Sequence, residues 1–142
     1  MKEIFLKIKC TPVQKSRPKF TTINGYPRSY TPKKTHDFES LIAQNYVING
    51  KGVYFEREEP ILVTLVFGMP IPKTATKSRR IAMLNGILKP IRKPDIDNLA
   101  KAVLDALNKV AWADDAQIAR LLLSKEYTDD PYISIYIHEI KD

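Results

Sequence analysis

The sequence predicts an α+β domain, a small mixed or antiparallel sheet packed with two main helices. Three observations predict it. Ile4, Leu6 and Ile8 alternate with Phe5, Lys7 and Lys9, the period of a strand with one buried face. Residues 61–69, ILVTLVFGM, form a dense β-branched and aromatic run between Pro60 and Pro70, the composition of a central strand. Two further segments, near 38–46 and 97–108, repeat apolar residues at helical spacing.

In chain order, the first strand closes near Cys10 and Pro12. From Pro12 to Pro32 the chain carries prolines, the turn pair Asn24-Gly25 and several cations, with no acid between Glu3 and Asp37; this reads as a basic hairpin or loop. Thr35 or Asp37 caps a helix through Phe38, Leu41, Ile42 and Tyr46, which ends near Asn49-Gly50. Residues 78–84 have helical potential, but Pro70, Pro72, Gly86 and Pro90 favour a mobile, substrate-facing segment. The helix from Asp97 to about Asn108 buries Leu99, Ala102, Val103, Ala106, Leu107 and Val110, leaving Asp97, Lys101, Asp105 and Asn108 on its polar side. Residues 118–127 and 132–140, split by Thr128-Asp129-Asp130-Pro131, read as two antiparallel strands joined by a short turn.

Nothing in the sequence justifies cutting the chain, so residues 1–142 are expected to form a single domain around one core. The single thiol, Cys10, excludes an intramolecular disulfide and a Cys-rich zinc site. Charges recur too often in residues 1–9 for a signal-peptide core, and no run approaches the roughly 18–20 apolar residues of a membrane span. A cytoplasmic protein without a membrane partner is the expectation.

The net charge of +7 and pI near 9.5 point to an anionic partner. That charge is unevenly spread. Residues 1–93 hold 18 Lys and Arg against 6 Asp and Glu, whereas residues 94–142 hold 5 against 10. In the acidic part, Asp95 and Asp97 stand at a helix start, and Asp114 and Asp115 follow that helix. One aspartate there is an ordinary N-cap; two at i and i+2, with Asn98 beside them and a second pair after the helix, exceed what capping requires. Such oxygen donors suit a hard divalent cation. Asp105 reads as a solvated helix residue. A twelve-residue helix is about 18 Å long, so Asp115 reaches the helix start only by running almost straight back; otherwise the helix ends early, or Asp115 completes a site elsewhere, as in a partner subunit. Lys101, four residues after Asp97, either makes an ordinary helix ion pair or stabilises charge on a phosphate.

The basic part supplies a surface for a polyanion. Arg17, Lys19, Arg28, Lys33 and Lys34, with Lys15 just before them, interleave with Phe20, Tyr26 and Tyr30; cations neutralise phosphates and rings stack on bases. Lys73, Lys77, Arg79, Arg80, Arg92 and Lys93 lie in an acid-free second stretch. Trp112 reads as a core or interface residue.

The stretch KPDIDNLAKAVLDALNKVAWADDAQI closely resembles the signature of the RusA family of Holliday junction resolvases, chiefly through its D-x-D-N-x-x-K and D-D-x-Q elements. KSRPKFTTINGYPRSYTPKK is similar to the basic N-terminal segment of phage-borne members. The resemblance implies a RusA-like homodimer that resolves four-way DNA junctions by paired nicks with Mg²⁺, Mn²⁺ being a substitute. It places the acidic metal site on Asp95, Asp97 and Asp115, the catalytically important lysine on Lys101, and Asp114 and Asn98 at neighbouring signature positions. The apolar side of helix 97–108, Trp112 and the C-terminal strands are candidate interface surface, with core packing expected to take much of it. A catalytically silent branched-DNA-binding module, or a metal-dependent nuclease for other branched DNA or RNA, would share many of these features.

Overall fold

The computed structural model describes residues 1–141. Strand β1 (Glu3–Lys9) is followed by a hairpin, β2 (Lys19–Ile23) and β3 (Tyr26–Tyr30), then helix α1 (Lys33–Asn49) and strand β4 (Ile61–Pro70). Helices α2 (Lys77–Leu84) and α3 (Ile96–Leu107) come next. A 3₁₀ turn (Asp115–Gln117) then leads into β5 (Ile118–Thr128) and β6 (Tyr132–Glu139). The main sheet has the order β1-β6-β4-β5; β4 and β5 are parallel and the other pairs antiparallel, which makes the α+β sheet a mixed one.

β5 and β6 do run in opposite directions, but they are not a hairpin: β4 lies between them and pairs with both. A short polar turn fixes the reversal of direction, not the neighbour. The central place goes to β4, which carries the longest apolar run and fills a ladder on each edge.

Cross-strand register sorts the sheet into two faces. Ile4, Ile137 and Val63 form one inward row and Leu6, Ile135 and Leu65 the next. All six are buried. α1 and α3 pack on each other over this face, α1 against β1 and α3 against β5. α1 buries Thr35, Phe38, Ile42 and Tyr46, a single helical stripe, and the Tyr46 hydroxyl donates to the Val53 carbonyl at 2.7 Å. It starts two residues before Thr35, with Pro32 as N-cap; Thr35 is inside the helix, fully buried, its Oγ1 accepting the Ser16 N–H.

Residues 77–84 form a true helix, where the prolines around it had suggested a mobile segment. Thr76 supplies the reason: its Oγ1 accepts the Arg79 N–H and caps the helix. The prolines fall outside the helix. The basic segment folds as the β2–β3 arm, whose residues are all exposed. Asn24 and Gly25 both take positive φ (52° and 80°), the conformation of a two-residue type I′ turn.

Gly68 in β4 sits directly beneath the Tyr132 ring; a Cβ there would lie 2.4 Å from two ring carbons. Gly68→Ala is therefore expected to destabilise the fold by about 1–3 kcal/mol through displacement of that ring. Urea unfolding of the variant checks this, and an unchanged midpoint would show that Tyr132 moves freely.

Candidate active site on helix α3

α3 places its acids without spending them on capping. The N-cap is Asp95, not Asp97, and its side chain makes no capping hydrogen bond. Instead Asp95 Oδ2 accepts from Lys93 Nζ at 2.9 Å. Asp97 lies in the first helical turn, where the positive end of the helix favours a carboxylate. The chain just before the helix is fixed by Lys125 of β5, whose Nζ donates to the carbonyls of Arg92 and Pro94 at 3.1 and 3.0 Å. The Asn98 carbonyl accepts the Lys15 N–H at 2.9 Å.

Asp115 arrives on a connector that is clamped to residues 55–59. The Phe55 N–H donates to Ala111, the Ala113 N–H donates back to Phe55, and the Gln117 amide donates to the carbonyls of Glu56 and Glu59 at 2.6 and 2.9 Å. Gln117 Oε1 also accepts the Asp114 N–H at 3.0 Å, closing the 3₁₀ turn. Trp112, fully buried, donates its indole N–H to Asp115 Oδ1 at 2.7 Å. One carboxylate oxygen is thereby fixed and the other left available.

The result is an open depression of about 270 Å³ lined by Asp97, Ala100, Lys101, Leu104 and Asp105 from α3, by Asp115, and by Leu121 and Leu123 of β5. The α3 residues follow 3- and 4-residue spacing, so one helical stripe forms one wall. Asp97 and Asp115 meet there, and Lys101 stands beside them. Asp95 does not line it. Among the described residues no group of three His, Cys, Asp or Glu side chains is arranged to hold a metal ion. Two carboxylates that share a depression still suit Mg²⁺, which is commonly bound by one or two carboxylates, several waters and a substrate phosphate.

Asp105 is not a solvated residue. It is partly buried and pairs with Lys101 at 3.3 Å and Lys15 at 3.2 Å. Lys15 is also held by Glu39 at 2.5 Å, so this cation ties α1 to α3 instead of facing a polyanion. Partial burial draws its pKa down, but the hydrogen bonds to Glu39 and Asp105 outweigh that and hold it above the ordinary lysine value. A raised folded-state pKa contributes stability that is complete below the unfolded value and is lost only as pH climbs past the folded one. The tie therefore persists at any neutral pH.

The other cations remain outward. Arg17, Lys19, Arg28, Lys33, Lys34, Lys73, Lys77, Arg79, Arg80 and Arg92 make no ion pair among the described residues. Lys33 and Lys34 open α1, and Lys77, Arg79 and Arg80 open α2. Neither helix has an acid in its first turn, so cations crowd the positive helix ends, a local penalty that an external anion relieves. The apolar side of α3 and Trp112 are consumed by the core and offer no interface.

A carboxylate depression served by an unpaired cationic surface defines a class of protein that acts on a polyanion. The comparisons narrow that class. The sequence model of the family described as Endodeoxyribonuclease RusA matches residues 9–138, and the chain belongs to this family. A curated relative, the uncharacterized protein YqaN of Bacillus subtilis (strain 168), is 30% identical over 138 residues, covering 91% of each chain. Membership supports a DNA nuclease role and metal-dependent catalysis in general. No helix among the described residues is long and apolar enough to cross a membrane.

Sequence reasoning missed the latch made by Gln117 and the Trp112–Asp115 hydrogen bond. The D-D-x-Q spacing held the signal, since a glutamine two residues after an aspartate pair has both a donor and an acceptor to close a turn. Gln117→Ala leaves several backbone carbonyls without their donor and should cost about 1–3 kcal/mol. Trp112→Phe keeps most of the core volume but frees Asp115. Thermal unfolding checks the first, and ¹⁵N relaxation of Asp115 in both variants checks that the connector is loosened.

Proposed function

We propose that the chain is a Mg²⁺-dependent, structure-specific endodeoxyribonuclease that resolves four-way DNA junctions by paired symmetric nicks, acting as a homodimer in DNA recombination and repair. The observation that carries this reading is the meeting of Asp97, Asp115 and Lys101 in one depression, in a member of the RusA family.

Asp97 and Asp115 would hold the ion, with Asp95 at the helix start close in sequence to join them once Lys93 turns to a phosphate. Bound Mg²⁺, or Mn²⁺ in its place, supplies Lewis-acid activation and neutralises the scissile phosphate. The chain's own residues do the rest. Trp112 orients Asp115, the first turn of α3 orients Asp97, and the Lys101 ammonium, released from Asp105, meets charge developing on the phosphate oxygens. Asp114 and Asn98 act through the backbone: Asp114 closes the 3₁₀ turn and Asn98 holds Lys15. The exposed cations bind the substrate DNA. Asp115 belongs with α3 of its own chain, so one protomer offers one site, and paired nicks need two.

Asp95→Asn, Asp97→Asn and Asp115→Asn should each lower cleavage of a synthetic four-way junction by at least about 100-fold, with junction affinity unchanged or higher. A linear duplex and a structured RNA, with and without Mg²⁺, complete the assay. Normal turnover by a variant removes that residue from the site, and wild-type binding without cleavage leaves a branched-DNA-binding module. Lys101→Ala should depress the saturated single-turnover rate more than it weakens binding; loss of affinity alone makes Lys101 a phosphate anchor. In mixtures of wild-type and Asp97→Asn protein, mixed dimers should leave a cruciform plasmid as nicked circles instead of linear product.

A further inference from the structure

Two concavities beside the α3 start join into one trough. The larger, about 440 Å³, is lined by Lys34, Arg92, Lys93, Lys125, several prolines and Tyr127. The smaller, about 230 Å³, is lined by Arg79, Lys89 and Arg92, and it shares Pro72, Arg92 and Tyr127 with the first. Six cations therefore line the two adjoining concavities, and no aspartate or glutamate lines either part. The walls are fixed. Lys125 pins the 92–94 backbone to β5, and Thr76 caps the helix that carries Arg79. The path ends at Lys93, which is bonded to Asp95.

We infer that this trough is a binding site for one unpaired DNA strand, separate from the duplex arms and leading to the α3 carboxylates. The inference rests on the nuclease reading only for its direction toward α3. A concave, acid-free cationic path with an aromatic side chain on its wall is the arrangement that tracks a single-stranded backbone, with cations on phosphates and a ring on a base. A rigid duplex presents a convex backbone to a broad face and has no unstacked base to offer Tyr127. Ile91, 88% exposed on the rim between Arg92 and Pro90, adds an apolar contact for the base next in line. The enzyme would thus hold a strand displaced at a branch, and substrates with an unpaired arm would bind more tightly than fully paired ones.

The test uses the full-length protein without metal, so that it reads binding and never cleavage. Fluorescence anisotropy follows a labelled thymidine oligonucleotide of about 16 nucleotides, within the range of single-strand site sizes, and a blunt duplex of equal length. The triple variant Arg79→Ala, Lys89→Ala, Arg92→Ala should lose at least about 10-fold affinity for the oligonucleotide and under about 3-fold for the duplex. Its slope of log K against log salt for the single strand should fall by about 2, as expected for three lost phosphate contacts. Equal losses on the two ligands, or an unchanged single-strand slope, overturn the proposal. Photocrosslinking of an iodouracil-substituted strand to wild-type protein gives an independent readout. An adduct on Tyr127 supports the trough, and adducts only on Tyr26 or Tyr30 of the hairpin overturn it. A protein that cleaves no junction yet passes both tests keeps the trough and loses the nuclease reading.

Discussion

Everything at the candidate site depends on how the segment after α3 is held against residues 55–59. α3 ends at Leu107, and without a restraint the next eight residues would be an exposed connector with a large conformational freedom to lose. Two backbone hydrogen bonds to Phe55, the buried Trp112 ring and three carbonyls beside the Gln117 amide remove that freedom. The same clamp sets the start of β5, which enters the sheet parallel to β4, and it delivers Asp115 to the wall formed by α3. A fault in the clamp would disturb both the sheet edge and the carboxylates, so stability and chemistry share one restraint.

Electrostatics divides the molecule along the same line. Cations that serve the fold are paired and partly buried: Lys15 bridges Glu39 and Asp105, and Lys2 bridges Glu59 and the Tyr54 carbonyl. Lys2 and the Glu56 N–H hold the Glu59 carboxyl below its usual pKa, which keeps this corner of the 55–59 loop charged and closed. Cations outside these pairs gather at the starts of α1 and α2, on the hairpin and along the trough. Cys10 takes no part in this chemistry, since burial pushes its thiol up to about 11.

Much of this was legible in the sequence, and the misses have specific causes. Alternation in residues 4–8, the 61–69 run and the helical spacing of 97–107 each identified an element, because their buried faces repeat at the period of their backbones. The Asn24-Gly25 pair marked the hairpin through the positive φ its turn requires. Partner choice was not legible: the turn at 129–131 set direction, but the insertion of β4 between β5 and β6 is decided by packing of the whole sheet. Lys15 and Asp105 were misread for a related reason. Local sequence reads Asp105 as a solvated charge and Lys15 as a polyanion contact, and only the meeting of α1 with α3 makes them a partly buried tie. Asp95, Asp97, Asp115 and Lys101 were picked out by spacing and resemblance. The fold accounts for how Asp97, Asp115 and Lys101 come together, and it leaves Asp95 at the edge.

Asp95 and Lys101 share a feature that bears on how such a site begins work. Each is held by a partner of opposite charge in a solvent-facing pair, the exposed Lys93 for Asp95 and the partly buried Asp105 for Lys101. Exposed pairs contribute only about 0–1 kcal/mol, so either exchanges readily for a stronger electrostatic partner. On the proposed reading, an arriving phosphodiester would draw Lys93 and Lys101 out of these pairs, and Asp95 would then be free to join Asp97 and Asp115 in holding a divalent cation. Asp97 and Asp115 need no such release, because the helix end favours one and the indole of Trp112 fixes the other. The site is therefore half pre-organised and half latched by weak pairs. On the proposed reading, substrate and metal would complete it together, so the full charge cluster would assemble only when a DNA strand is present.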